Sequence, residues 1–153
     1  DPMRETDFCG VYRLTTDGEV LLQTKEISRP NGIAFAPDQK TLYVANSDGR
    51  DGKWRAFPVQ EDGNLGQPSI FFDSTTQSNI RRSGGDGLKV DVEGHVFATG
   101  GGGVLVLSPE GALLGRLRTG TAISNVAFGD DGTSLYLTAD MYLCRVRTST
   151  KGW

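Results

Sequence analysis

The sequence is poor in the residues that build most metal and redox centres: it has two cysteines, Cys9 and Cys144, and one histidine, His95. Neither cysteine has a Cys or His neighbour at zinc-binding spacing, which excludes a structural zinc site. Two thiols so widely separated are expected to be buried or incidental rather than bridged. His95 falls in HVFATG beside an alternating apolar run, with no serine elbow or second ligand near it, and reads as a strand-end residue. No apolar stretch approaches the roughly 20 residues that a membrane-spanning helix needs. The opening DPMRETDFCG lacks the basic-then-apolar order of a signal peptide. A soluble chain with no membrane partner is expected, its compartment open but with the cytoplasm favoured.

Charge of one sign is missing as well. The net charge is -3, with acidic and basic residues interspersed. No basic stripe is present to neutralise a phosphate backbone, so nucleic acid is not an expected partner. Apolar residues at helical spacing are absent too, which removes an α-helical solenoid from consideration.

Glycine, by contrast, is abundant at 21 of 153 residues, and the glycines sit between short apolar runs. That arrangement predicts many tight turns between short strands. Three segments align: NGIAFAPDQKTLYVAN from Asn31, DGLKVDVEGHVFATG from Asp86 and SNVAFGDDGTSLYLTA from Ser124. Each reads as an alternating apolar run, a turn and a second apolar run, the pattern of two adjacent antiparallel strands, A and B. A second motif, GVYRLTTDGEVLL from Gly10 and GVLVLSPEGALLG from Gly103, supplies strands C and D. Both motifs recur at the same offset of 93 residues, so the chain alternates A/B and C/D hairpins.

The predicted fold class is therefore all-β, a partial β-propeller of roughly three four-stranded blades where a closed ring takes about four to eight. The chain is read as one propeller domain over residues 1–153, with blade segments at 10–24, 31–73, 86–118 and 124–148. Open blade faces at both ends leave apolar side chains and strand edges in water. A homo-oligomer, or a complementary chain completing the ring, is the expected partner.

Strand A lies innermost in a blade, so Asn31, Asp86 and Ser124 are expected at one mouth of the axial channel. Oxygen-bearing side chains converging there can replace the hydration shell of Ca²⁺ or another divalent cation, which takes six to eight hard ligands. The alternative is that Asn-Gly and Asp-Gly simply make turns. The run GGGG at 100–103 has no helix with Lys and Ser behind it, as a phosphate loop would. It reads as a B-to-C turn.

In RPNGIAFAPDQKTLYVANSD, GDGLKVDVEGHVFATGGGGVLVLSPEGALLG and SNVAFGDDGTSLYLTA the chain resembles the C-terminal half of bacterial gluconolactonases, relatives of regucalcin, the senescence marker protein. The opening DPMRETDFCGVYRL resembles the linker after their aspartate-proline segment. The resemblance implies a six-bladed propeller with one divalent cation, usually Ca²⁺. It makes Asn31 in RPNG a metal ligand, and Asp86 in GDGLKVD both a ligand and the general base of lactone hydrolysis. The family's two other ligands, a glutamate and an asparagine, would precede residue 1.

The family usually reads proline where Gly85 stands, so a looser loop before Asp86 is expected. Arg81 and Arg82, just upstream, are read as solvated loop residues with a possible substrate contact as the alternative. A small-molecule lactone is the implied substrate. The alternatives are a non-catalytic propeller binding module and an aryl-ester or phosphotriester hydrolase of the same fold.

Overall fold

The computed structural model describes residues 5–78, 80 and 83–153. β1 (Val11–Leu14) and β2 (Val20–Thr24) form a two-stranded sheet. β3 (Pro30–Phe35), β4 (Thr41–Asn46), β5 (Lys53–Pro58) and β6 (Ser69–Asp73) form a four-stranded sheet. A second four-stranded sheet contains β7 (Leu88–Val90), β8 (Val96–Gly100), β9 (Gly103–Leu107) and β10 (Leu113–Leu117). β11 (Ile123–Gly129), β12 (Ser134–Ala139) and β13 (Tyr142–Arg147) form a three-stranded sheet. Within each sheet, strands adjacent in sequence pair antiparallel. Among the described residues the helical content is one 3-10 turn, Ser74–Thr76.

Both faces of β4 and of β8 are apolar, because their sheets lie between neighbouring sheets. Along β4, Leu42 and Val44 pack toward Val11, Ile27 and Phe57, whereas Tyr43 and Ala45 pack toward Leu88, Val90 and Val96 of the next sheet. β8 repeats the division: Val96 and Ala98 face back, and Phe97 faces forward to Val126, Leu135 and Leu137. The period of two thus sends alternate residues of one strand into two different cores. Each fully buried Leu or Val contributes about 1.5–3 kcal/mol, so burial between sheets holds the array together. β7 lies against β3 on one side and β11 on the other. β3, β7 and β11, the first strands of the last three sheets, are therefore innermost, and the sheets are blades of a β-propeller.

A polar knot closes the end of β4. Asn46 is fully buried; its Oδ1 accepts from the backbone N–H of Arg29 and of Asp48, each at 3.1 Å. Its Nδ2 donates to the carbonyl and carboxylate of Asp51. Asp51 also takes Lys53 and Arg55, both at 2.8 Å, and these cations hold its pKa down at about 2 against burial, which raises it. Arg50 does the same for Asp48, likewise to about 2.

Because both folded pKa values lie below the unfolded value of about 3.9, their contribution is present above pH 4 and lost as pH falls from there toward 2. Urea midpoints measured from pH 6 to pH 2 are expected to fall most in that window, and less steeply in Asp51→Asn. A parallel fall in the variant would exclude Asp51 as a cause.

Candidate functional site

The inner strands are joined to one another by a repeated rung. The Gly32 N–H donates to the Asp86 carbonyl at 3.0 Å, and the Gly87 N–H donates to the Ser124 carbonyl at 2.9 Å. In β3 and β11 the register slips at this place, between Pro30 and Ile33 and between Ile123 and Asn125. Such bulges re-aim side chains next to functional sites.

The glycines serve close approach here. A Cβ on Gly32 would stand 2.1 Å from the Asp86 carbonyl oxygen, and one on Gly87 would stand 2.0 Å from Asn125 Oδ1. Neither glycine has a positive φ, and Asn31 and Gly32 lie within β3. The simple turn reading of these dipeptides therefore does not describe them.

Asn31 is exposed, and its Nδ2 donates to Ser47 Oγ at 2.8 Å. Ser47 Oγ in turn donates to the Gly85 carbonyl at 2.8 Å, so one hydroxyl ties Asn31 to the residue before Asp86. With its nitrogen committed, Asn31 presents Oδ1 as its remaining polar end. Asp86 is half-buried. Its backbone is held by Thr99, whose carbonyl takes the Asp86 N–H at 3.1 Å. Among the described residues its carboxylate enters no hydrogen bond or ion pair.

Ser124 differs from its two equivalents. Its hydroxyl turns back onto Thr138 Oγ1 of its own sheet at 2.9 Å. The described residues include no group of three or more His, Cys, Asp or Glu able to hold a metal. Asn31 Oδ1 and the Asp86 carboxylate, on neighbouring blades, are hard oxygen donors of the kind that Ca²⁺ takes.

The Gly84-Gly85 pair does not loosen the loop before Asp86. Gly85 is buried, its N–H donates to the Asn46 carbonyl at 2.7 Å, and its own carbonyl accepts from Ser47. A Cβ at Gly85 would lie 2.6 Å from the Trp54 ring, and one at Gly84 would lie 2.2 Å from the Ser47 backbone. Trp54 is fully buried, stacks edge-on against Phe72 and leaves Nε1 without a hydrogen-bond partner among the described residues. The indole occupies the space that a proline ring at 85 would need. Sequence reasoning missed Ser47 and Trp54, which carry no motif of their own.

A cavity of about 560 Å³ opens at Asp86, lined also by Gly100 to Gly103, Arg116 and Arg118. The glycine run is the predicted turn between β8 and β9, with Gly101 and Gly102 at φ 62° and 85°. His95 lies beyond the far end of β7, its Nδ1 3.0 Å from Asp91 Oδ2. Asp91 is fully buried and also accepts the His95 and Glu93 N–H groups, so the pair clamps a turn. Among the described residues neither Cys9, which is exposed, nor Cys144 is in a disulfide. Arg81 and Arg82 lie outside the described residues. No helix among the described residues is long and apolar enough to cross a membrane.

Comparison with known proteins agrees with the fold. The family profile described as the SMP-30/Gluconolactonase/LRE-like region matches residues 1–140. A gluconolactonase of Zymomonas mobilis subsp. mobilis is 35% identical over 160 residues, taking in 98% of this chain and 43% of its own. Among solved structures, a gluconolactonase of Xanthomonas campestris superposes with a TM-score of 0.79 at 30% identity, over 97% of this chain and 46% of that one. A calcium-binding protein, regucalcin, from Agrobacterium tumefaciens shares the fold at 23% identity and a TM-score of 0.73, over 94% of this chain and 52% of its own. The chain spans about half the length of the proteins it matches.

Proposed function

The chain belongs to the SMP-30/gluconolactonase/LRE-like family, and we propose on that basis that it forms the C-terminal half of a calcium-dependent sugar-lactone hydrolase. The carrying observation is the 3.0 Å rung from Gly32 to Asp86, which supports Asn31 and Asp86 as neighbours across two blades. A divalent cation, Ca²⁺ by family resemblance, would be held by Asn31 Oδ1 and the Asp86 carboxylate with further oxygen ligands, and supplies Lewis-acid polarisation of the lactone carbonyl.

Asp86 accepts a proton from the attacking water as the new C–O bond forms. The ring C–O bond then breaks, the ring oxygen takes that proton, and a hydroxy acid leaves. A carboxylate beside a cation is a weak base, which suits an activated ester such as a lactone better than an amide. Ser47 positions Asn31 against the Asp86 loop.

Hydrolysis of glucono-lactone, followed as calcium is added to the purified chain, tests the reading. Turnover that rises with calcium is expected; the absence of both calcium uptake and turnover would overturn the reading. The small number of acidic ligands among the described residues favours the second reading, a non-catalytic propeller that binds its ligand without turning it over.

Apolar side chains stand exposed on both outer blades, Leu14 at 71% and Val20 at 66% on one, Met141 at 80% and Leu143 at 72% on the other. Exposed apolar surface of this kind promotes association. Native mass spectrometry of the 16.5 kDa chain is expected to show a doubled mass or a second, co-purifying chain. A stable, folded monomer would contradict this.

A further inference from the structure

We propose that the cavity beside Asp86 is a subsite for a second acidic group on the ligand, a carboxylate or phosphate carried by a sugar lactone or sugar acid. The substrate assignment rests on the lactonase reading above. The argument begins with strand alternation. Leu117 ends β10 and packs into the core between the third and fourth sheets. Residues on either side of an inward-facing strand residue turn to the opposite face, and Arg116 and Arg118 accordingly both line the cavity.

The facing wall is bare. Gly100, Gly101 and Gly102 have φ of 147°, 62° and 85°, a region in which an L side chain is strained. A Cβ on Gly103 would stand 2.4 Å from the Leu117 carbonyl oxygen and 3.4 Å from Arg118 Cγ. That wall therefore carries no side chains, and the Arg118 stem lies across it. Ser83 Oγ, accepting the Gly101 N–H at 2.5 Å, ties the glycine turn to the loop that carries Asp86.

The resulting volume of about 560 Å³ falls within the roughly 300–1,000 Å³ of small-molecule sites. Among the described residues the lining carries Arg118, Arg116, which already has an interaction partner, and one carboxylate, Asp86. A neutral polyol does not need that excess of positive charge. A carboxylate or phosphate does, because the guanidinium fork matches its oxygens in pairs. An acidic group held by the Arg118 fork, with Arg116 adding positive charge beside it, would leave the rest of the same ligand facing Asp86.

Isothermal titration with four probes tests this: glucarate, 6-phosphogluconate, gluconate and neutral sorbitol, each against the unaltered chain, Arg118→Gln, Arg116→Gln and Arg118→Lys. The two doubly acidic probes are expected to bind at least about tenfold more tightly than gluconate, and sorbitol not measurably. Arg118→Gln should bring that ratio near one, and Arg118→Lys should retain part of it. Whichever doubly acidic probe binds tighter identifies the acid. Melting curves verify that the variants fold.

Equal affinity for all probes, no binding of any, or a preference that survives both Arg→Gln changes overturns the subsite. Glucono-lactone turnover measured alongside separates the two readings. Turnover without acid preference removes the subsite and keeps the lactonase. Arginine-dependent acid binding without turnover keeps the subsite and removes the lactonase.

Discussion

Asp86→Ala is expected to lose both calcium binding and lactone hydrolysis, whereas Asp86→Asn separates the two. The asparagine retains a carbonyl oxygen where the carboxylate stood, so calcium uptake weakens but persists. It cannot accept a proton at neutral pH, so turnover falls by roughly 10²- to 10⁴-fold, the usual contribution of a general base. Asn31→Ala removes an oxygen without touching the base, so its turnover is expected to recover when calcium is raised.

Calorimetric calcium titration of all three variants, with turnover measured at saturating calcium, gives the comparison. Equal calcium uptake by the unaltered chain and by Asp86→Ala would place any cation elsewhere. Ser47→Ala probes the support: it removes the link from Asn31 to the Gly85 carbonyl. It should weaken calcium binding less than Asn31→Ala, with the melting temperature little changed.

Gly85→Pro, which restores the residue that the resembling family usually has, is expected to destabilise this chain by about 3 kcal/mol or more, the scale of overpacking plus a lost buried hydrogen bond. The ring would enter space held by Trp54, 2.6 Å from a Cβ at that position. Proline also lacks the N–H that reaches the Asn46 carbonyl at 2.7 Å. Trp54→Leu alone opens a cavity in the core shared with Phe72, Leu88 and Leu105 and should cost a few kcal/mol. Because the two residues occupy one volume, the double variant should be more stable than the sum of the single effects implies. Denaturant unfolding of the four proteins closes the cycle. Strict additivity would mean that the indole does not dictate glycine at 85.

The hairpin architecture was legible because it rests on local regularities. Alternation along TLYVAN and VFATG marks strands, and the DG and EG steps mark the turns between them. The equivalence of Asn31, Asp86 and Ser124 was legible for the same reason, since a repeat places equivalent residues alike. Equivalence in register was not equivalence in role. Ser124 bonds Thr138 in its own sheet, a choice made by a partner 14 residues away that no alignment of inner strands reveals.

The reading of Gly85 failed for a related cause. A glycine in isolation reads as freedom, and only a neighbour 31 positions earlier in the chain turns it into a requirement for space. Arg116 and Arg118 did carry a signal, the basic-apolar-basic alternation around Leu117. It gained meaning only once the cavity was seen on the basic side.

Sequence by itself determined that this protein is built of short antiparallel strands in repeating blades, because strand period and turn chemistry act over a few residues and need no distant partner. It also singled out Asn31 and Asp86, because the repeat carries them to the start of successive inner strands. The tertiary structure alone decided that Ser47 ties Asn31 to the residue before Asp86, that the Trp54 ring fills the space beside Gly85, and that two arginines share a cavity with Asp86. Such contacts join residues tens of positions apart, and their strength depends on ångström-scale packing between blades.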